Sequence, residues 1–221
     1  MSSQHPQRRL PGAVLHPQHN DDGQPVLLLR PSQPSEMSAW ADPEEVACVV
    51  PNGPMPVTIN GLAASTWSDR PHSPVEWEAL AASQSINEPP FEAPANYKRA
   101  AGVVTREPDG RVWLVAPSNA FGGYQATFPK GTLDGKSSQA TALVETFEEC
   151  GLHVRLVRHL IDTKRSVSYT RYYLAERLGG NPADMGWESQ AVILAPASRL
   201  KALLNNPNDL PILQALSPNG A

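Results

Sequence analysis

The pattern of apolar and polar positions is clearest between Phe128 and Leu152. Four apolar residues there follow the spacing i, i+3, i+4, i+7: Ala140, Leu143, Val144 and Phe147. This spacing is typical of a helix that packs one face against a core. Two serines able to cap a helix start precede the run, and a glycine follows it. The pattern predicts a Gly-containing loop followed by one amphipathic helix.

Elsewhere, short apolar runs flank turn-forming residues, which predicts strands. Three such pairs are 12–15 with 25–30, 45–50 with 55–59, and 99–105 with 111–115. Further strands are predicted at 154–157, 160–161 and 167–175, and further helices at 73–80, 198–204 and 209–216. The sequence thus predicts an α/β protein rich in strands.

Composition divides the chain near residue 95. Fifteen of the 23 prolines come before residue 96, and this density favours short strands and loops over helices. We therefore expect a Pro-rich, acidic, mainly β region with one connecting helix over residues 1–95, and an α/β domain over residues 96–221. Residues 1–10 are expected to form a loosely held polar arm. The tryptophans of the first region, Trp40, Trp67 and Trp77, are interpreted as core residues rather than as a surface for base stacking.

Charge narrows the class of ligand. Residues 1–95 carry four basic and eleven acidic side chains, whereas residues 96–221 carry fourteen basic and eleven acidic ones. A mild positive excess suits an anionic small molecule better than duplex nucleic acid. No apolar run is long enough to span a membrane, and the first thirty residues are polar, so a soluble, cytoplasmic protein is expected. Cys48 and Cys150 are too few for a disulfide scaffold and are interpreted as small buried residues.

The polar face of the predicted helix carries the candidate chemistry. Glu145, Glu148 and Glu149 lie on adjoining turns, where unshielded carboxylates repel one another. Mg²⁺ prefers oxygen ligands and is often held by a few carboxylates together with substrate phosphates. The three acids therefore predict a magnesium site. The alternative is a solvated acidic helix face.

The run from Phe128 to Leu152 also resembles the Nudix box, written G-x5-E-x7-R-E-U-x-E-E-x-G-U with U a large aliphatic residue. Phe-Pro-Lys-Gly at 128–131 is similar to the segment that precedes the box in that family. The resemblance implies an α/β/α sandwich with a mixed sheet. It also implies metal binding, with Mg²⁺ or Mn²⁺, by four residues: Glu145, Glu148, Glu149 and Gly131.

The resemblance is incomplete at its N-terminal end. Val144 stands at the family's Arg position, Lys136 stands at its first Glu position, and the loop is one residue short. That Arg and Glu are partners in the family, so losing both leaves no buried charge unpaired. Asp134, in the shortened loop, is a candidate replacement for the missing acid.

Four basic residues are candidate contacts for substrate phosphates: Lys130, Lys136, Arg165 and Arg171. The resemblance adds Glu188, which matches by position an acid that the family often uses as a further metal ligand or as the base that activates water. Glu145 is the other candidate base. For both arginines, a surface position without a ligand is the alternative.

Together these residues predict metal-dependent hydrolysis of a phosphoanhydride in a nucleoside diphosphate linked to another group, such as a dinucleoside polyphosphate or ADP-ribose. The expected partner is a small nucleotide, and a homo-oligomer is compatible with the sequence. Lys136 and Val144 leave open a Nudix fold that binds a nucleotide without cleaving it. A third interpretation is a scaffold whose acidic N-terminal region docks a protein.

Overall fold

The computed structural model describes residues 12–217, so the predicted arm at 1–10 lies outside the described residues. The strands within this range are β1 Val14–His19, β2 Pro25–Leu28, β3 Ala47–Val49, β4 Thr58–Ile59, β5 Leu62–Ala63, β6 Lys98–Thr105, β7 Val112–Pro117, β8 Lys130–Thr132, β9 Leu152–Lys164, β10 Ser168–Gly180 and β11 Ser189–Ala195. The α-helices are α1 Pro74–Ala82, α2 Ser138–Cys150, α3 Ala197–Leu203 and α4 Leu210–Leu216. The predicted helices are all confirmed.

Two sheets form the centre of the described chain. One is mixed, in the order β8-β6-β10-β9, with β6 and β10 parallel and the other neighbours antiparallel. The second is antiparallel, in the order β3-β11-β7. Two separate hairpins, β1-β2 and β4-β5, complete the strands. The hairpin predicted around residues 19–23 is therefore confirmed.

Alternation along the strands produces two cores on opposite faces of the sheets. Tyr173 belongs to the core that contains the buried residues of α2, and its neighbour Tyr172 belongs to the other core. That second core contains Leu200 of α3 and Ile212 of α4. Helices therefore cover both faces, as predicted for an α/β/α sandwich with a mixed sheet.

The region before residue 96 is strand-rich, as predicted, and packs into the first of these cores. β3 extends the three-stranded sheet by pairing with β11, with Val49 opposite Val192. Trp40 and Trp77 are buried in the same core as the α2 residues, and Trp67 packs against it. The interpretation as core residues is thus confirmed for Trp40 and Trp77, and Trp67 lies half-buried at the edge of that core. The division at residue 95 stays a prediction about domains.

The runs at 45–50 and 55–59 flank a turn, as predicted, in which the Gly53 N–H donates to the Val50 carbonyl at 2.8 Å. They enter different sheets, because β3 pairs with β11 and β4 pairs with β5. One predicted hairpin is wrong. The runs at 99–105 and 111–115 do share a turn, closed by the bond from the Glu107 N–H to the Arg111 carbonyl at 2.9 Å. Beyond one bridge, Arg106 to Val112, β6 and β7 separate and enter different sheets. β3, β6 and β7 therefore pair with strands that are distant in sequence, whereas β4 pairs with its neighbour β5.

Both cysteines are free, Cys150 buried and Cys48 half-buried. None of the helices within residues 12–217 is both long and apolar enough to cross a membrane.

Candidate functional site

The predicted loop and helix form as expected and set the position of the acids. The Ser137 hydroxyl accepts a hydrogen bond from the Ala140 N–H at 3.1 Å, and this cap begins α2. Gly151 ends the helix with φ of +66°, a left-handed conformation that glycine adopts without strain. The Ser137 N–H also donates to Glu78 of α1 at 2.6 Å. The start of α2 is therefore anchored by the region before residue 96.

β8 lies directly against two of the three helix carboxylates. The Lys130 backbone N–H donates to Glu149 Oε2 at 3.1 Å. At Gly131, a Cβ atom would overlap the Glu145 carboxyl group. The glycine therefore leaves a cradle for Glu145 that any other residue would fill. Glu148, on the same helix, is exposed.

The pKa values of these acids are raised, because no basic side chain pairs with their carboxylates. Burial raises the pKa of Glu145 to about 8, and the charges of Glu148 and Glu188 add to the rise, while Lys130 and Lys136 oppose it. Burial likewise raises the pKa of Glu149 well above its usual value, Lys130 opposing and Glu145 and Glu188 adding. The ionised forms are thus disfavoured by the protein itself.

The same is true of the other two acids. Desolvation raises the pKa of Glu148, with Lys136 opposing the rise and Glu188 and Asp21 adding to it. Desolvation also raises the pKa of Glu188, and Asp21 adds to that rise. Within residues 12–217, Glu145, Glu148, Glu149 and Glu188 have no Lys, Arg or His at ion-pair distance. We refer to these four residues as the acid cluster.

Glu188 reaches the acid cluster from a different element. It immediately precedes β11, and its carbonyl accepts a bond from the Ser118 N–H at 2.7 Å. The loop before it is held to α2 by the Gly186 N–H, which donates to the Glu148 carbonyl at 2.6 Å. The structure therefore brings the predicted Glu188 into electrostatic contact with the helix acids.

A divalent cation fits the donor chemistry of this cluster. Its ligands would be carboxylate oxygens, which hard cations prefer, and their mutual repulsion would turn into attraction on binding. The Glu145 carboxyl group fills the space beside Gly131, so its oxygens lie directly against the backbone of β8. Within residues 12–217, however, no three His, Cys, Asp or Glu side chains converge closely enough to hold a metal. The carboxylates must turn toward one another before they could share an ion.

The two predicted arginines are engaged inside the fold. Arg165 is buried, with its Nη1 at 2.8 Å from Asp209 Oδ1 and its Nη2 donating to Thr127 at 3.1 Å. Arg171 is buried in a bidentate pair with Asp162, at 2.7 and 2.8 Å. Because carboxylates already bind both guanidinium groups, the geometry corrects the prediction that these arginines contact phosphate.

Lys130 and Lys136 behave differently from the arginines. Both charges act on Glu145, and within the described residues neither lysine forms an ion pair. They remain available to an anionic ligand beside the acids. Asp134, in contrast, is exposed, and its carboxylate accepts a 2.5 Å hydrogen bond from the Thr132 hydroxyl.

Sequence reasoning missed two charged residues that lie near α2. Asp21, in the turn between β1 and β2, accepts a hydrogen bond from the Trp187 indole N–H at 3.1 Å, next to Glu188. Arg70 lies with its guanidinium carbon 5.0 Å from the centre of the Phe147 ring. Neither residue belongs to a motif or a periodic pattern, so no signal in the sequence pointed to them.

Comparison with known proteins gives one family and a set of similar structures. The NUDIX domain family matches residues 96–216. Among curated proteins, none matches this chain. A Caenorhabditis elegans Ap4A hydrolase is 19% identical, with a TM-score of 0.46, covering 53% of this chain and 93% of its own.

Two bacterial structures are similar to the same extent. An ADP-ribose pyrophosphatase from Streptococcus suis is 18% identical, with a TM-score of 0.43, covering 52% of this chain and 88% of its own. A NUDIX hydrolase from Nitrosomonas europaea is 13% identical, with a TM-score of 0.46, covering 54% of this chain and 87% of its own.

Proposed function

Because this chain belongs to the NUDIX domain family, we propose that it hydrolyses a phosphoanhydride bond in a nucleoside diphosphate linked to another group. The observation that carries the proposal is the acid cluster. Four carboxylates have raised pKa values and no basic ion-pair partner within the described chain. Desolvation and mutual repulsion of these carboxylates lower the stability of the folded protein. A bound cation with its diphosphate would offset both effects.

In this proposal Glu145, Glu148 and Glu149 hold Mg²⁺ or Mn²⁺, together with the backbone of Gly131. When bound, the cation neutralises the diphosphate and lowers the pKa of a water molecule. Glu149 is the best-positioned ligand, because the Lys130 N–H fixes its carboxylate from β8. The Glu145 carboxyl group lies directly against Gly131 and would be the second ligand.

Glu188 is the better of the two candidate bases. Its side chain is exposed, so it can meet a water molecule, and its raised pKa brings it nearer the working range of a general base. Glu188 would take one proton from the water that attacks phosphorus. Lys130 and Lys136 would bind the phosphate oxygens on which charge accumulates as the bond to the leaving phosphate breaks.

The test is a substitution that keeps shape and removes charge. Glu149→Gln should lower kcat by at least about 100-fold, equivalent to about 2.7 kcal/mol of transition-state stabilisation. Activity would be measured by release of phosphate products from dinucleoside polyphosphates, ADP-ribose, nucleotide sugars and nucleoside triphosphates, with Mg²⁺ and with Mn²⁺. Glu176→Gln, at an exposed glutamate on β10, is the matched control and should keep full activity. Full activity of the Glu149 variant would refute the proposed role.

A second candidate function is nucleotide binding without cleavage. Lys136 favours it, because its positive charge acts on both Glu145 and Glu148 and so competes with a cation. Calorimetry that detects nucleotide binding, with no product after hours in Mg²⁺ or Mn²⁺, would support this function. Product formation from any nucleotide of the panel would exclude it.

A further inference from the structure

The loop that carries Glu188 is fixed against α2 by backbone hydrogen bonds. It consists of residues 185–188, just before β11, and we call it the Glu188 loop. The Gly186 N–H donates to the Glu148 carbonyl in the last turn of α2 at 2.6 Å, and the Ser189 N–H donates back to the Gly186 carbonyl at 3.1 Å. The distance between Glu188 and the helix acids therefore depends on this turn staying in place.

The β1-β2 hairpin binds the Glu188 loop on both sides of its glycine. Gln18 of β1 donates from Nε2 to the Met185 carbonyl at 3.1 Å. Asp21, in the turn of the hairpin, accepts a hydrogen bond from the Trp187 indole N–H at 3.1 Å. Both hairpin residues precede the segment that matches the family. A part of the chain outside the family domain thus supports the loop directly.

The hairpin is itself anchored, so it can act as a support. Leu28 of β2 and His16 of β1 are buried. His16 Nδ1 also accepts a hydrogen bond from the Gln18 N–H at 3.0 Å, which fixes the backbone from which the Gln18 side chain extends. A site is positioned precisely when the residues around it are restrained by packing and hydrogen bonds of their own.

A second route links the hairpin to Glu188 through the loop after β7. Asn119 Oδ1 accepts a hydrogen bond from the Leu29 N–H at 2.7 Å, and Asn119 Nδ2 donates to the Leu27 carbonyl at 2.9 Å. The N–H of the preceding residue, Ser118, donates to the Glu188 carbonyl at 2.7 Å. The hairpin, this loop and the Glu188 loop therefore form a closed ring of contacts.

The backbone of the second route is strained. Asn119 and Ala120 have φ of +55° and +52°, in the left-handed region that residues other than glycine rarely adopt. Such conformations persist where surrounding contacts determine them, and they are frequent near functional sites. The two bonds of the Asn119 amide to β2 are contacts of this kind. The hairpin is thus coupled to the site by a conformation that favourable packing must maintain.

We propose that Gln18 and Asp21 are positioning residues for Glu188, and that the β1-β2 hairpin keeps the Glu188 carboxylate at a productive distance from a water molecule beside α2. The role of Glu188 as a base rests on the proposed function, whereas the support of its loop does not. A general base must lie within hydrogen-bond reach of its proton, and a displacement of about 1 Å can lower a rate about 100-fold. The hairpin therefore contributes to turnover without contacting the substrate.

The first test measures the loop in the full chain without a ligand. In the double variant Gln18→Ala, Asp21→Ala, hydrogen exchange of the Gly186 amide should be at least about tenfold faster, because two hydrogen bonds that restrain the loop are lost. Amides in the middle of α2 should exchange as before, which separates local opening from global destabilisation. The matched control is Asp22→Ala, Gln24→Ala, at exposed residues of the same hairpin, and it should exchange as the unaltered protein does.

The second test separates positioning from substrate binding, with each nucleotide of the panel that the unaltered protein cleaves. Asp21→Ala should lower kcat about tenfold and leave KM within about twofold, because the contacts with substrate are unchanged. Asp21→Asn keeps an oxygen that can accept the Trp187 indole N–H, so it should restore kcat to within about twofold of the unaltered protein.

Three results would overturn the inference. They are unchanged exchange at Gly186 in the double variant, unchanged kcat in Asp21→Ala, and an equal loss of kcat in Asp21→Ala and Asp21→Asn, since the last result would assign the effect to charge. Faster exchange at Gly186 with no cleavage of any nucleotide in the panel would have a different meaning. The support of the Glu188 loop would then stand, and hydrolysis would be refuted.

Discussion

The carboxylates that hold the fold together and the carboxylates of the acid cluster differ in whether a basic side chain pairs with them. Glu107 is fully buried, accepts a hydrogen bond from Trp113 Nε1 at 2.7 Å, and pairs with Arg177. Asp162 pairs with Arg171 in the same manner. The acid cluster has no such partner within the described residues. Arginines therefore form ion pairs with the acids that hold the fold together, whereas within the described residues no arginine lies at ion-pair distance from the acids on α2.

The pKa shifts reflect this difference. Burial alone would raise the pKa of Asp162, but hydrogen bonds from Arg171 and His159 lower it below the usual value. Burial raises the pKa of Glu145 to about 8; the charges of Glu148 and Glu188 add to the rise, and Lys130 and Lys136 oppose it without forming an ion pair. Asp209 shows the limit of pairing, since burial keeps its pKa raised despite Arg165. The lack of ion-pair partners at the acid cluster supports the proposed binding site there and separates these acids from the structural ion pairs.

Removing a paired acid should produce the largest effect on stability. Glu107→Ala leaves Arg177 buried with an uncompensated charge, and it also removes the acceptor of Trp113 and of Asn60. Breaking a buried pair in this way costs about 3–5 kcal/mol. The free energy of unfolding, measured with urea, should fall by that amount.

The control for this prediction is an exposed ion pair between the neighbouring strands β9 and β10. Glu176 and Arg155 are 2.7 Å apart, but their side chains are 54% and 59% exposed. Glu176→Ala should therefore lower the free energy of unfolding by less than about 1 kcal/mol. Equal effects of the two substitutions would show that burial of the Glu107 pair is not what stabilises it.

Removing an acid of the cluster should have the opposite sign. In cation-free protein above pH 8, Glu145 is ionised in both the folded and the unfolded state. Because the carboxylate is desolvated only in the folded state, its charge destabilises that state alone. Glu145→Gln should then raise the free energy of unfolding by about 2 kcal/mol, less than the full shift implies because water screens the half-exposed carboxylate.

The pH dependence checks the sign of this effect. The folded pKa of about 8 lies above the unfolded value near 4.5, so the folded state binds more protons between them. Stability of the cation-free protein should fall as pH rises from about 4.5 to about 8, and Glu145→Gln should flatten part of this decline. Glu176→Gln is again the matched control. A variant with the same pH profile as the unaltered protein would contradict the raised pKa.

Elements with local signals were predicted well from the sequence. Ser137 caps α2 and Gly151 ends it as the spacing indicated, and alternation in the strand after the box placed Tyr172 and Tyr173 on opposite faces. The turn between β1 and β2 also formed where its polar residues predicted it. In each case residues close in the chain determine the structure.

Pairings between distant segments were not predicted, because they have no periodic signature. β3 and β11 are separated by about 140 residues, and nothing in either run selects the other. Arg165 pairs with Asp209, which lies 44 residues further along the chain. Arg70 and Asp21 reach α2 in the same way, from a region that no motif identifies.

One missed pairing did have a signal. β9 and β10 form an antiparallel pair with Arg171 directly opposite Asp162. A hairpin turn centred near residue 166 would have put these two residues face to face, where opposite charges attract. If the two predicted strands are paired as a hairpin with that turn, Arg171 faces Asp162 and is no longer a candidate phosphate contact.

That pair provides the smallest of the expected effects. Asp162→Asn removes the main partner of Arg171, but Glu88 still lies 3.4 Å from the same guanidinium and compensates part of its charge. The free energy of unfolding at neutral pH should therefore fall by only about 1–2 kcal/mol.

Because the folded pKa of Asp162 is lowered, the stabilisation that its carboxylate provides is present above the unfolded value near 4 and is lost as pH falls through the folded value. Unfolding measured between pH 2 and pH 7 should show a shallower acid limb in the variant, whereas Asp22→Asn, at an exposed aspartate of the first turn, should leave that limb unchanged. An unchanged acid limb in the Asp162 variant would mean that Arg171 does not lower this pKa, and the contrast between paired and unpaired acids would lose one of its two sides.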